Sequence, residues 1–161
     1  MRKVDVVIET PKGSKYKYKF EPETNSFKVM KLLPAGLAFP YDFGFIPDTK
    51  GEDGDPLDVM IFFEDSFPQA SVVECIIIGA IKAKQSSQEE TVRNDRIIAV
   101  PAMTAEKEKE SELEDISKIK IKEIENFFIY YNKMENKEFK PLGILDAKET
   151  WKLIKEGFEV A

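Results

Sequence analysis

The order of apolar and polar positions divides the chain into a strand-rich first part and a helical end. Val4–Glu9 and Lys15–Phe20 read as strands, with Gly13-Ser14 as the turn between them. The second alternates lysine with aromatic residues, so Lys15, Lys17 and Lys19 share one face. Ser26–Leu33 is a third apolar stretch. Pro34–Gly54 is broken by Pro, Gly and Asp, and reads as long loop with short strands. Leu57–Phe63 is a continuous apolar run, as a buried strand requires. Val72–Lys82 and Arg96–Val100 are further strands, and the polar segment Ala83–Thr91 between them reads as an exposed loop. Beyond Pro101 the period changes. Thr104–Asp115 is densely charged, in the manner of a solvated face. Ile121, Ile124, Phe128 and Tyr131 follow helical spacing within Lys120–Met134. Asp146 and Glu149 form a capping box for a last helix, whose stripe is Trp151, Ile154 and Phe158. Strands first and helices last predict an α+β, mainly β fold: a small sheet or barrel with helices packed on it.

Composition narrows the chemistry. The 161 residues fit a single domain spanning 1–161, long enough to bury a core unaided. A 42% hydrophobic and 34% charged makeup is that of a folded globular chain. The net charge of −6 argues against a nucleic-acid partner. No apolar run approaches membrane-spanning length, and the one cysteine, Cys75, has no internal disulfide partner; a cytoplasmic location is the expectation. The chain lacks histidine altogether, which removes His bases, Ser–His and Cys–His nucleophiles and His zinc sites. Catalysis here must rest on carboxylates, amines, guanidinium groups, phenols or hard metal ions.

The sharpest local feature is Glu52-Asp53-Gly54-Asp55-Pro56-Leu57-Asp58, directly before the apolar strand. Carboxylates this close raise one another's pKa unless a cation neutralises them, and oxygen-only ligands suit Mg²⁺ or Mn²⁺. Asp, Gly and Pro are also the ordinary turn formers, so the cluster alone reads more readily as a turn than as a site.

Asp53-Gly54-Asp55-Pro56-Leu57-Asp58 resembles the D-x-D-P-x-D signature of the soluble family I inorganic pyrophosphatases, short bacterial type. Val6–Pro11 resembles that family's first strand, and Pro40–Pro47 its P-x-x-Y-G-[YF]-I stretch. Ala99-Val100-Pro101 and the helix with Phe127-Phe128 follow in the family's order. The resemblance implies an OB-like five-stranded β-barrel with flanking helices, a homo-oligomer (a hexamer among short bacterial members), and hydrolysis of pyrophosphate with Mg²⁺, Mn²⁺ being an alternative. It further implies Asp53 and Asp58 as metal ligands, Asp55 as the general base, and Glu9 as support for an outer metal. Lys17, Lys31 and Tyr131 match phosphate-binding positions, and Arg96 stands where the pattern has a substrate-binding lysine.

The chain also departs from the pattern. The family's second carboxylate cluster ends in Asp-x-Lys, where this chain has Asn94-Asp95-Arg96. Asn94 offers only a carbonyl oxygen, and Asp95 is one residue out of register. The earlier carboxylate of that cluster falls on Gln85 when counted from Gly79, or on Glu89 when counted from Asn94. Phe43 replaces a tyrosine, Lys19 a glutamate, Lys31 an arginine and Asn132 a lysine. Two alternatives therefore stand beside pyrophosphate hydrolysis. One is a weakly active or inactive barrel that binds a phosphorylated ligand or partner; the other is hydrolysis of a different phosphoanhydride.

Overall fold

The computed structural model describes residues 2–104, Leu113 and 116–160. Most of the charged Thr104–Asp115 segment lies outside the described residues. The strands are β1 (Lys3–Thr10), β2 (Tyr16–Glu21), β3 (Ser26–Leu32), β4 (Asp42–Phe45), β5 (Asp58–Ile61), β6 (Val72–Ser86), β7 (Thr91–Arg93), β8 (Arg96–Pro101) and β9 (Glu138–Leu145). The helices are α1 (Lys118–Lys133) and α2 (Ala147–Val160).

Strand pairing runs β1-β4-β5-β8-β6, and β6 returns to β1, so five strands close into a ring. The expected five-stranded barrel with flanking helices is thus the observed architecture. β7 and β9 extend the ring from β6, while β2 and β3 form a separate hairpin. β6 can serve both because it is long and irregular. Its start pairs with β1 and its end with β7 and β9. The change falls at a bulge between Ile77 and Gly79. Gly79 sits there at φ +155°, and a Cβ would come within 2.7 Å of Leu113 Cβ and of the Leu145 carbonyl oxygen.

The apolar runs are continuous because both faces of the central strands are covered. Val59, Ile61, Ile97 and Ala99 pack in one cluster with Val6, Ile8, Cys75 and Ile154 of α2. Met60, Ile98 and Val100 pack in another with Phe43 and with Ile121, Ile124, Phe127 and Phe128 of α1. Burying each of these Val, Ile, Met and Phe side chains stabilises the fold by roughly 1.5–3 kcal/mol. Burial also pushes the Cys75 thiol up to about 12, which removes it from thiolate chemistry.

Both helix starts carry their caps. The Ser117 hydroxyl accepts the Ile119 N–H at 3.2 Å. Asp146 and Glu149 exchange bonds: the Glu149 N–H donates to Asp146 Oδ1 at 2.8 Å and the Asp146 N–H to Glu149 Oε1 at 3.3 Å.

Two expectations need correction, and one strand had no counterpart in the sequence pattern. Ala83–Thr91 is an exposed turn only over 87–90, since β6 continues to Ser86, Ala83 is buried and β7 turns back along it from Thr91. β9 escapes the periodicity because Pro141 and Gly143 interrupt it, the latter at φ +135°. The buried face of α2 is Ala147, Thr150, Ile154 and Gly157; Phe158 is exposed and Trp151 only half-buried. Small residues face inward because the helix lies close to the acidic loop. A Cβ on Gly157 would meet Leu57 Cδ1 at 2.7 Å, and the Gly157 carbonyl accepts the Lys50 N–H at 3.0 Å.

β4 threads between β1 and β5 at a position that only glycine fits. A Cβ on Gly44 would lie 2.1 Å from the Val7 carbonyl oxygen. Gly44→Ala is therefore predicted to destabilise the protein by about 3 kcal/mol, read as a lowered urea midpoint. An unchanged midpoint would contradict this packing.

Candidate active site

The ends of β1, β2, β5 and β8, the 53–58 loop and the last turn of α1 surround a cleft of about 690 Å³. One wall is acidic. The Asp53 Oδ1 accepts the Asp55 N–H at 3.1 Å, and Gly54 at φ +88° turns the loop between them. Asp58 follows at the start of β5, where the parallel pairing with β8 places it beside Arg96. Burial pushes the Asp58 carboxyl up to about 6, with Arg96 and Lys17 opposing the shift and Glu9 and Asp53 adding to it. Partial burial likewise raises Asp53, opposed first by the hydrogen bond from the Asp55 N–H, with the Asp55 charge adding to the rise and Arg96 opposing it.

The facing wall is basic and aromatic. Lys17 and Lys19 line the cleft from the same face of β2, as their alternation predicts. Lys17 Nζ bonds Glu9 Oε1 at 2.9 Å, while Glu9 Oε2 accepts the Phe20 N–H at 2.9 Å. Glu9 is thus buried with both oxygens engaged. Lys17 also lies 4.4 Å from the centre of the Phe43 ring, so the missing tyrosine hydroxyl is replaced by a ring face under an ammonium. Lys19 pairs with Asp55 at 3.6 Å across open solvent. Lys31 pairs with Glu135 and sits 4.0 Å from the centre of the Tyr131 ring. Burial, then Lys137 and Lys17, lower the Lys31 pKa to about 8, so its charge fades above that pH. Burial raises the Tyr131 pKa and keeps the phenol protonated.

Arg96 joins the two walls. Its Nη1 bonds Asp58 Oδ2 at 3.1 Å and its Nη2 bonds Gln85 Oε1 at 3.3 Å. The guanidinium lies 4.6 Å from the Phe128 ring centre and 5.2 Å from that of Phe139. Gln85 Oε1 also accepts the Asn94 Nδ2 hydrogen at 3.1 Å.

The candidate residues therefore separate. Glu9, Lys17, Lys31, Asp53, Asp55, Asp58, Asn94, Arg96 and Tyr131 line one cleft. Glu89 does not: it is exposed near the β6–β7 turn, where the Ser87 N–H bonds the Glu90 carbonyl. The count from Gly79 is the one the fold honours, and it brings Gln85 to the cleft. Asp95 is also displaced. It faces an adjoining cavity, with Oδ1 accepting the Ala83 N–H at 3.0 Å and Arg93 gripping both oxygens at 3.0 and 2.8 Å. Asp95 lies in the link between β7 and β8, and these bonds engage both of its oxygens. Glu135 and Lys137 line the cleft without any signal in the sequence, delivered by the turn after α1.

The donor set fits a divalent cation on one wall only. Asp53 and Asp58 are hard oxygen donors whose charged forms burial disfavours, a cost that a bound cation would offset. On the far side Gln85 and Asn94 are neutral, and they bond to each other. Among the described residues, no three carboxylates or other metal-ligating side chains gather closely enough to form a cation cage.

A five-strand barrel whose cleft sets an acidic loop against amines and a guanidinium is a protein built to hold a polyanion beside a hard cation. Comparison with known proteins gives the class a family. The family model described as inorganic pyrophosphatase matches residues 6–161. An inorganic pyrophosphatase of Synechocystis sp. is 32% identical over 95% of this chain and 88% of its own. That of Nanoarchaeum equitans is 37% identical over 94% and 93%. The solved inorganic pyrophosphatase of Helicobacter pylori superposes with a TM-score of 0.90 at 27% identity, covering 99% of this chain and 93% of that one. The chain belongs to the inorganic pyrophosphatase family.

The placement of Asp95 is testable. Asp95→Ala leaves the buried Ala83 N–H unpaired and frees Arg93, at an expected cost of about 1–3 kcal/mol. Its Mn²⁺ binding, followed by the free-ion electron paramagnetic resonance signal, should equal that of the parent. A weakened Mn²⁺ affinity would make Asp95 a ligand after all.

Proposed function

We propose that the protein, as one pyrophosphatase-like domain over residues 1–161, hydrolyses inorganic pyrophosphate to two phosphates in this cleft. The observation that carries the reading is the Asp53–Asp58 loop facing Lys17, Lys31 and Arg96 across a single cavity, in a chain of this family. Asp53 and Asp58 would hold a divalent cation, Mg²⁺ with Mn²⁺ as the alternative. When bound, it supplies charge neutralisation and lowers the pKa of an attacking water.

The remaining work falls to the chain's own groups. Asp55, exposed at the loop tip, accepts the proton as the water oxygen attacks phosphorus. The bridging P–O bond breaks and the departing phosphate gains negative charge. Lys17, Lys31 and Arg96 offset that charge, and the protonated Tyr131 phenol donates to a phosphate oxygen. Each of these cations is already paired with a carboxylate or amide of the cleft, so substrate must displace partners as it enters. Glu9 orients Lys17 and, with both oxygens engaged, is better placed to do that than to hold a metal.

A homo-oligomer, of which a hexamer is one form, and a cytoplasmic location complete the proposal. Among the described residues no helix is long and apolar enough to cross a membrane.

A second reading is favoured by one observation. Gln85 and Asn94 replace charged ligands with amides, and Arg96 occupies Asp58, so a phosphate-binding barrel with little hydrolysis fits that side of the cleft. Phosphate release from pyrophosphate separates the two. With Mg²⁺ and then Mn²⁺, the first reading predicts metal-dependent release that Asp55→Asn lowers by about a hundredfold or more. Release no greater than that of Asp55→Asn with either metal would discard it in favour of the second.

A further inference from the structure

Arg96 is a buried guanidinium that cannot lose its proton under ordinary conditions, and its neighbours leave it incompletely satisfied. Asp58 is its single carboxylate partner among the described residues, and Gln85 gives it one neutral oxygen. Its Nε is buried with no hydrogen-bond partner among the described residues. The rings of Phe128 and Phe139 hold it in place. The same Asp58 is one of the two carboxylates that suit a divalent cation. A fixed charge of +1 bonded to that carboxylate competes with an incoming +2 ion and repels it, strongly so where water is scarce. A phosphate oxygen reverses the balance. It supplies the acceptor that Arg96 lacks and shares its charge, which releases Asp58.

We propose that Arg96 is an internal cation that withholds Asp58 from divalent metal until a phosphate anion occupies the cleft, so that metal and anion bind interdependently. Free of anion, the cleft takes metal weakly. With anion bound, Arg96 turns part of its hydrogen bonding to it and the metal site becomes complete. By linkage, metal strengthens anion binding by the same factor. Arg96 thereby acts as a positioning residue for the Asp58 carboxylate as well as a contact for the anion. The inference rests on the proposed pyrophosphatase reading of the cleft.

The test is Mn²⁺ binding to the purified protein, read from the free-ion paramagnetic resonance signal, without and with inorganic phosphate. In the parent, phosphate should tighten Mn²⁺ on the order of tenfold, the value of one charged hydrogen bond exchanged. In Arg96→Gln, Mn²⁺ alone should bind about as tightly as it does to the parent with phosphate, and phosphate should add little. If phosphate merely bridges protein and metal, Arg96→Gln will leave the affinity for Mn²⁺ alone unchanged, and the proposal falls. Mn²⁺ failing to bind the parent under either condition would overturn the metal-site reading itself, and this inference with it. Should Arg96→Gln not fold, the parent protein still decides the matter. The nitrogen–proton resonance of the buried Arg96 Nε should shift when Mg²⁺ is added with phosphate. A resonance that stays fixed while Mg²⁺ binds would overturn the proposal.

Discussion

The contact on which the rest of the site depends is the 3.1 Å bond between Arg96 and Asp58. Each residue opens a strand, and the parallel pairing of β5 with β8 sets the two side by side. A guanidinium buried this deeply is costly unless it is paired and packed. Here α1 contributes the Phe128 ring, β9 contributes Phe139, and β6 contributes Gln85. Strands, helix and acidic loop thus meet on one charge. Removing either partner would leave the other as an uncompensated buried ion, so the pair constrains the fold as well as the chemistry.

From this contact follows the division of the cleft. On the acidic side, burial pushes the Asp53 and Asp58 carboxyls upward while the Arg96 charge opposes both shifts. Opposite it, Lys17, Lys31 and Lys19 are each paired with a carboxylate of the cleft. The empty site is largely self-neutralised. A polyanion and a cation entering together can exchange these internal pairs for pairs with ligand, which keeps the number of unpaired buried charges low at each stage. The amides Gln85 and Asn94 add dipoles to this scheme but no charge.

Much of this was legible along the chain because it is local. The acidic loop announces itself as Asp-Gly-Asp-Pro followed by an apolar run, and alternation in β2 alone places Lys17 and Lys19 on one face. The family pattern then named Glu9, Lys31, Arg96 and Tyr131, all of which line the cleft. What escaped depends on distant contacts. Gln85 is brought in by a fifteen-residue strand that bends at a bulge, and only that strand decides between the count from Gly79, which gives Gln85, and the count from Asn94, which gives Glu89. β9 is held by pairing with β6 despite Pro141 and Gly143. In the stripe of α2, Ile154 and Trp151 pack on the core as read, but Phe158 is exposed because the inward face there is set by Gly157 against Leu57, where smallness outweighs hydrophobicity. Asp95 shows the same limit: its aspartate identity suggested a metal ligand, while the link between β7 and β8 gives it to Arg93 and a backbone N–H.

The central claim is that one wall of the cleft holds divalent metal while the wall of Gln85 and Asn94 does not. Counting the Mn²⁺ ions bound per chain by equilibrium dialysis in the presence of phosphate tests it most directly, for the parent beside a Gln85→Asp, Asn94→Asp double variant. The account predicts that the double variant binds more Mn²⁺ per chain than the parent, because two carboxylates restore a second set of ligands. Equal numbers in the two proteins would contradict it, and would mean that the amide wall was never what limited the metal.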